Sequence, residues 1–495
     1  MSDHHHSSFC PPQPIAGKPQ SGRFESIAFW LMLLYFAAKM CFFALRIRER
    51  VFPDEASWFG MVEVFSRSLF LPVDSPESYP FGLITHIPSL YFFLMGKVVV
   101  CNILPVSDLI FLRLVNVAIS LVTVAFAWRL SRVMMLAPAV CCLFMIMVTN
   151  TVMFSFVSAA VSYDSLSTLL AVLSLYYLVL FFQRRLVVHA LWGCFFTLIG
   201  TLTKIVLLPY GLGLLLAVVF TERRRLLEFV KVVPSLVVSL RGREAVLAGL
   251  CFCALAANLA LYGGNYIRFG SVMPGMNQVL PVEACLQNRL FVRDYVVREY
   301  QSGKLTLLDA QRLALQIRDP GDRASAWNRL AEVVNNKQNG PSPRMGRGRY
   351  AMEWVEVVVS RTYSVAAHLS LFKYESDFYP YYAIFLLSAI LWLFRGRALL
   401  VPGLEAVIIV AIFYSFFLMQ GVNYTIYRVS GAMGLALTGR YMFPVLVPLY
   451  LLTAQGLIAK TPRWWQVLLG LAVATLFVFG EFPWFLRNAG PEWYF

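Results

Sequence analysis

The sequence predicts an all-α polytopic membrane protein with about eleven spanning helices and interfacial helices in its first outer loop, and three observations carry that expectation. Of 495 residues, 59% are hydrophobic and only 14% charged, with a mean hydropathy of +0.66, far from the balance of a water-soluble domain. The apolar residues fall in repeated runs of roughly 20, the length a helix needs to cross a hydrocarbon core. Forty Phe and 23 Tyr suit a chain that packs in lipid and is anchored at its interfaces. A net charge of +15 would also fit nucleic acid. The basic residues, however, form short clusters between apolar runs, which is how topology is fixed, so the expected partner is the lipid bilayer and no nucleic acid. Eight of the nine Cys lie in apolar runs or the N-terminal tail, and no disulfide framework is implied.

The polar, Pro-rich residues 1–24 read as a disordered cytoplasmic tail whose three His are set aside. A first span over 26–46 is followed by RIRERVFPDE. The next apolar segment, 81–103, is interrupted by His86, Pro88 and Lys97 and reads as an interfacial pair that does not cross. Spans then follow at 109–130, 133–152, 165–182, 187–203, 205–220, 244–265, 378–394, 400–420, 441–458 and 464–482. With 81–103 left uncrossed, Arg129 and Arg132, Arg184 and Arg185, TERRR at 221–225, Arg241 and Arg243, Arg395 and Arg397, and Lys460 with Arg463 all share the tail's side. That is the positive-inside pattern. The expected organisation is therefore the tail, an N-terminal transmembrane catalytic module over 25–265, an extracytoplasmic helical insert over 266–377, and C-terminal transmembrane helices with a short outer tail over 378–495. The insert carries an amphipathic helical pattern and then the Gly-, Pro- and Arg-rich QNGPSPRMGRGR. No internal repeat, P-loop, dinucleotide motif or metal-type Cys/His spacing stands out.

This topology gathers ionisable residues on one face. Asp54 and Glu55, in VFPDEASWF, follow the first span beside Arg46, Arg48 and Arg50. An external Arg cluster breaks the positive-inside pattern; it suits a lipid phosphate, or it snorkels to head groups. Asp164, in SYDSL, opens the fourth span, where an Asp serves as helix cap or as a site. Lys204, in TKIVLLP, has no carboxylate nearby in sequence and is an interfacial anchor or a counter-charge. His86 sits beside Pro88 as a packed or a substrate-facing residue, and Arg440 and Tyr441, in TGRYMFP, open the tenth span.

The order of a PDE motif in the first outer loop, an interfacial helix pair, SYDSL, a TK…LP turn and a late GRY…P resembles the GT-C superfamily of integral-membrane glycosyltransferases. More narrowly it is similar to a bacterial family catalogued as domain of unknown function 2142. The resemblance covers roughly 25–460. It departs at Ala56, Ser57 and Trp58, where a small pair and a His are usual, and at Tyr163, where an Asn is usual; acceptor contacts and metal use are the features these departures touch. The resemblance implies transfer of a sugar from a polyprenyl phosphate to a glycan or lipid acceptor at the outer face of a bacterial inner membrane. Asp54 is then the expected base, its pKa raised by desolvation, with Glu55 orienting it or sharing its proton. Lys204, Arg440, Arg46 and Arg50 are the candidates to meet the phosphate, with Tyr441 and His86 near the substrate. Asp164 steers the acceptor or holds a divalent cation, Mg or Mn. Two rivals stand beside this reading. A transporter or flippase wants ionisable groups at mid-bilayer, and the interiors of the spans at 133–152, 165–182 and 464–482 are almost free of charge. A polysaccharide polymerase or ligase rests on a large outer loop with Arg and His, and the segment 266–377 reads as rich in Arg and without His.

Overall fold

The computed structural model describes residues 23–223, 242–317, 320–340, 343–433 and 437–495, and the fold is all-α. Among the described residues the only extended pairings are two isolated bridges, Ile47 with Tyr494 and Val365 with Leu371. The expected tail lies outside the described residues except for Arg23 and Phe24, as do Arg224, Arg225 and Arg241.

The N-terminal elements are α1 (Arg23–Arg46), α2 (Glu55–Ser66), α3 (Leu90–Val99), α4 (Asp108–Val133), α5 (Pro138–Thr149), α6 (Val152–Ser158), α7 (Tyr163–Arg184), α8 (Val187–Thr201) and α9 (Leu207–Glu222). Then come the span α10 (Arg243–Phe269) and the outer helices α11 (Arg289–Gln301), α12 (Leu307–Leu315), α13 (Pro320–Asn339) and α14 (Arg347–Tyr363). The chain closes with α15 (Glu375–Leu399), α16 (Leu404–Ser430), α17 (Gly439–Ile458) and α18 (Arg463–Asn488).

Eight of these helices are long and apolar enough to cross a membrane: α1, α4, α7, α10 and α15 to α18. The run at 133–152 is a broken pair, α5 and α6, bent by 63°. The remaining expected spans, α8 and α9, are apolar helices of only 15 and 16 residues, because the chain turns at Lys204 to reach a carboxylate on α7. Among the described residues the count is thus eight clear spans, or nine with the bent pair, where about eleven are expected. The uncrossed segment behaves as its interruptions imply. Helices α2 and α3, of 12 and 10 residues, are too short to span. They pack on each other through Trp58, Val62, Phe65, Tyr91, Phe92 and Met95. Gly96 makes that approach possible, since a Cβ there would meet the Phe65 backbone at 2.8 Å.

Helices α7 and α17 are the most enclosed of the spans and form the centre of the bundle. Helices α15 and α18 turn Leu393, Phe394, Trp464, Leu468 and Leu471 outward, where a bilayer supplies the apolar surroundings. The outer helices α11 to α13 carry a small core of their own, built on Val296, Ala310, Ala314, Ile317, Ala326 and Leu330.

One buried ion pair ties the bundle's ends together. Lys39 of α1 donates to Glu481 at 2.6 Å and to the Thr149 carbonyl at 2.6 Å, and both charged side chains are fully enclosed. Thr149 ends α5 at the bend, so Lys39 satisfies a carbonyl that the broken helix leaves without a partner. Glu481 also accepts from the Phe482 amide at 2.7 Å. Breaking such a pair costs about 3–5 kcal/mol because the survivor stays buried. Lys39→Met is therefore expected to lower the melting temperature in detergent strongly, and Lys39→Met with Glu481→Gln to recover most of the loss. Labelling of buried thiols such as Cys141 as they become exposed reads the transition.

Candidate active site

The ends of four separate elements converge. Asp54 sits at the N-cap of α2, yet its backbone is left-handed, with φ 56° and ψ 6°, and its side chain caps nothing. An ordinary cap is extended and bonds the first helical amides. Here the carboxylate turns away from its own helix toward Arg440, with which it forms a direct ion pair. Arg289 of the outer insert lies 3.5 Å from the other Asp54 oxygen. The Asp54 amide donates to His368 Nε2 at 3.3 Å. These partners hold the unusual backbone in place.

Arg440 is positioned by the GRY turn that opens α17. Gly439 is required there, since a Cβ would meet Thr362 Oγ1 at 2.5 Å and the Arg361 carbonyl at 2.6 Å. The guanidinium lies 5.0 Å above the Trp58 ring, a cation–π arrangement. Its second terminal nitrogen, Nη1, is 3.7 Å from Asp164 Oδ2 and is buried with no hydrogen-bond partner. Asp164, buried at the start of α7, pairs directly with Lys204 and lies 3.2 Å from the Ser162 hydroxyl, which donates to it. Lys204 in turn lies 4.9 Å from the Tyr163 ring and 5.2 Å from the Tyr441 ring. Tyr441 is fixed through its carbonyl, which accepts from Tyr414 Oη at 2.6 Å.

Five predicted residues therefore meet: Asp54, Asp164, Lys204, Arg440 and Tyr441. Glu55 does not face the same space. It is buried and receives Arg113 Nε at 2.9 Å, Arg113 Nη2 at 2.5 Å and the Val161 amide at 3.0 Å. Its oxygens are occupied, which corrects the expectation that it shares a proton with Asp54; Glu55 positions the loop. Arg46 and Arg50 stay exposed outside the cluster, and the C-terminal residues take the backbone beside them, the Arg46 carbonyl accepting from the Phe495 amide at 3.0 Å and the Arg48 amide donating to the Trp493 carbonyl at 2.9 Å. His86 is held elsewhere, by Asn265 at 2.8 Å.

Three site residues escape the sequence reading. Arg113 interrupts the apolar run 109–130, and an ionisable residue there is a signal that could have found it. Arg289 and His368 have no local signal. His368 also corrects the reading of segment 266–377 as free of histidine.

Burial pushes the Asp54 carboxyl up, but the charge and hydrogen bond of Arg440, with the charge of Arg289, hold it below the ordinary 3.8. The raised value expected of a resting base is thus reversed. A divalent cation also fits poorly. Among the described residues no three His, Cys, Asp or Glu cluster as ligands, and both carboxylates already carry cationic partners.

No family model and no curated protein matches the chain, so the narrower resemblance to family 2142 gains no support. Solved structures do match. The oligosaccharyltransferase of Archaeoglobus fulgidus, crystallised with Zn and sulfate, aligns over 94% of this chain at 13% identity and a TM-score of 0.50. The chain spans about half that protein's length, 53%. ArnT of Cupriavidus metallidurans, bound to undecaprenyl phosphate, aligns over 92% of this chain and 78% of its own at 14% identity and a TM-score of 0.36. Its apo form gives 92%, 77%, 12% and 0.35. The fold is accordingly GT-C-like.

Because the folded Asp54 value lies below 3.8, its ion pairs stabilise the protein above that pH and lose their contribution as pH falls through the folded value. The melting-temperature gap between the native protein and Asp54→Asn is expected to stay constant from neutrality to about pH 5 and to close in more acid solution.

Proposed function

We propose that this protein is a membrane glycosyltransferase that moves a sugar from a polyprenyl-phosphate donor to a hydroxyl of a glycan or lipid acceptor at the outer face. The observation that carries this reading is the meeting of two acids and two cations from four elements, Asp54 and Arg440 being 386 residues apart in sequence. Packing alone gives no reason for such a gathering at the lipid–water boundary. The GT-C-like fold supports the same reading, as does the oligosaccharyl transfer named for the Archaeoglobus protein.

In the reaction the acceptor oxygen bonds to the anomeric carbon while the bond from that carbon to the phosphate oxygen breaks. The electron pair leaves with the phosphate, and the acceptor proton passes to a carboxylate. Asp54 suits that task because it is the most open member of the cluster, its side chain 27% exposed against 1% for Asp164. At rest it is the partner of Arg440 and a poor base. An arriving phosphate finds Arg440 Nη1 without an acceptor and competes for the rest of the guanidinium, since phosphate forms strong bidentate bonds to Arg. Loss of Arg440 then lets burial raise the Asp54 carboxyl toward a useful basicity. Lys204, seated between two tyrosine rings, adds fixed positive charge where charge grows on the leaving group. A bacterial inner membrane with this face toward the periplasm is the setting that matches the donor.

Transfer of radiolabelled sugar from a panel of polyprenyl-phosphate sugars in proteoliposomes tests the proposal. Asp54→Asn is expected to lower turnover about 10²- to 10⁴-fold and Arg440→Lys about 10²- to 10³-fold, with unchanged expression and elution. Equal turnover in Asp54→Asn removes it as the base. Absence of turnover with every donor, together with movement of lipid or solute across the bilayer, replaces the reading with a transporter.

A further inference from the structure

Two membrane helices of this chain share a short device. Helix α10 carries a π turn over Leu259–Gly263 and α16 one over Phe417–Asn423. Both turns run into the same pattern, Gly263-Gly264-Asn265-Tyr266 in one and Gly421-Val422-Asn423-Tyr424 in the other. Both helices then end at a left-handed glycine, Gly270 with φ 67° and Gly431 with φ 77°. The recurrence is only four residues long, too short to register as a repeat. In each case a cavity opens beside the turn and one arginine borders it: about 330 Å³ with Arg268, and about 510 Å³ with Arg347 among Phe413, Phe416, Phe417 and Gln420. Single π turns frequently mark functional sites, because the widened ring leaves backbone and space that a regular helix closes.

The first cavity carries the more specific chemistry. Its wall is made by Thr85 and His86 of the first outer loop and by Leu261, Gly264, Asn265 and Arg268 of α10. Asn265 is 2% exposed, and its Nδ2 donates to the carbonyls of His86, at 3.0 Å, and Val272, at 3.1 Å. Two carbonyl acceptors fix the amide's orientation, so Asn265 Oδ1 faces His86 Nδ1 at 2.8 Å and that nitrogen must carry the proton. His86 Nε2 has no hydrogen bond among the described residues, and it donates to an anionic ligand when the ring is protonated to imidazolium. Arg268 is exposed and pairs with no carboxylate among the described residues. A Cβ at Gly264 would meet nothing within 4 Å, so the floor is open. The flank of α10 beside it presents Phe252, Leu259, Tyr266 and Ile267 to the outside, Ile267 being 84% exposed. A guanidinium and an imidazole at the head-group level of a lipid-facing helix make an anion site with an apolar approach.

We propose that this cavity holds the phosphate head group of a membrane lipid, on Arg268 and His86, with the lipid's apolar chains along α10. None of its lining residues belongs to the Asp54 cluster, so the proposal stands or falls independently of the transferase reading. A lipid suits the site better than a soluble anion because the same helix exposes the apolar Phe252, Leu259 and Ile267, which would meet acyl chains.

The full chain in phosphatidylcholine nanodiscs doped with a diazirine-bearing phosphatidic acid provides the test, with crosslinked peptides mapped by mass spectrometry. Crosslinks are expected in 259–270 and around His86. They should fall about tenfold, the weight of one charge-assisted hydrogen bond, in Arg268→Ala and in the cavity-filling Gly264→Leu, and persist in Arg440→Lys. Arg268 is exposed, so its truncation leaves the fold intact, and monodisperse elution checks this. Crosslinking that maps elsewhere, or that Arg268→Ala leaves unchanged, overturns the proposal. Displacement of the lipid by inorganic phosphate at equal concentration also overturns it, in favour of a soluble-anion site.

Discussion

The Arg113–Glu55 pair is the interaction on which the outer face depends. A fully buried guanidinium costs several kcal/mol in desolvation unless every donor finds a partner, and Arg113 meets that demand with unusual completeness. Two nitrogens grip the Glu55 carboxylate. The third, Nη1, donates to the carbonyls of Ala44 and Ile47, at 3.2 and 2.6 Å, and Nη2 also donates to the Arg48 carbonyl, at 3.2 Å. Those carbonyls lie at the end of α1, where a helix leaves its last acceptors without internal partners. The Phe52 ring stacks 4.7 Å from the guanidinium, and Glu55 reaches on to the Val161 amide. One side chain of α4 thus joins the end of α1, the PDE loop and the turn that leads into Asp164. Asp54 faces Asp164 and Arg440 because its neighbour Glu55 is fastened on the other side.

That fastening sets the charge balance of the cluster. Asp54 and Asp164 carry two negative charges, and Lys204 and Arg440 two positive ones; Arg289 is shared with Asp322, 2.5 Å away. The resting cluster is close to neutral in a poorly hydrated setting, where unpaired charge is costly. An incoming anion cannot simply add to it. It must displace a carboxylate from a cation, and the partner that gives way is the one water can reach. Asp164 is sealed under Lys204, so the exchange falls to Asp54.

Much of this was legible in the sequence, for a physical reason. The lengths of apolar runs are dictated by bilayer thickness, and the sidedness of basic clusters places PDE, SYDSL, TK and GRY on one face before any contact is known. What sequence could not supply is which of several cations on that face the acids choose. Arg46 and Arg50 are nearer to Asp54 in the chain, but the backbone of Arg46 and Arg48 is paired with Phe495 and Trp493, and the side chains of Arg46 and Arg50 are exposed. His86 is drawn off by Asn265, 179 residues away. Arg289 and His368 depend on how the outer insert returns to the membrane surface, which no local pattern encodes. Lys39 and Arg113, by contrast, carry a signal that the sequence reading passed over, since each is a charge within an apolar run.

The aromatic residues Trp58 and Tyr163 have a structural place. Trp58 lies under Arg440 and Tyr163 under Lys204, and the two rings pack on each other with centroids 4.6 Å apart. An aromatic face holds a cation without consuming a carboxylate lone pair, so the two cations are positioned from one side by rings and from the other by acids. A divalent ion would need those same carboxylate oxygens, along with a set of oxygen ligands that this wall of rings does not provide. The aromatic residues at these two positions and the occupation of both acids by organic cations are therefore two sides of one arrangement. In it, the positive charge of the cluster is built into the chain as Lys204 and Arg440.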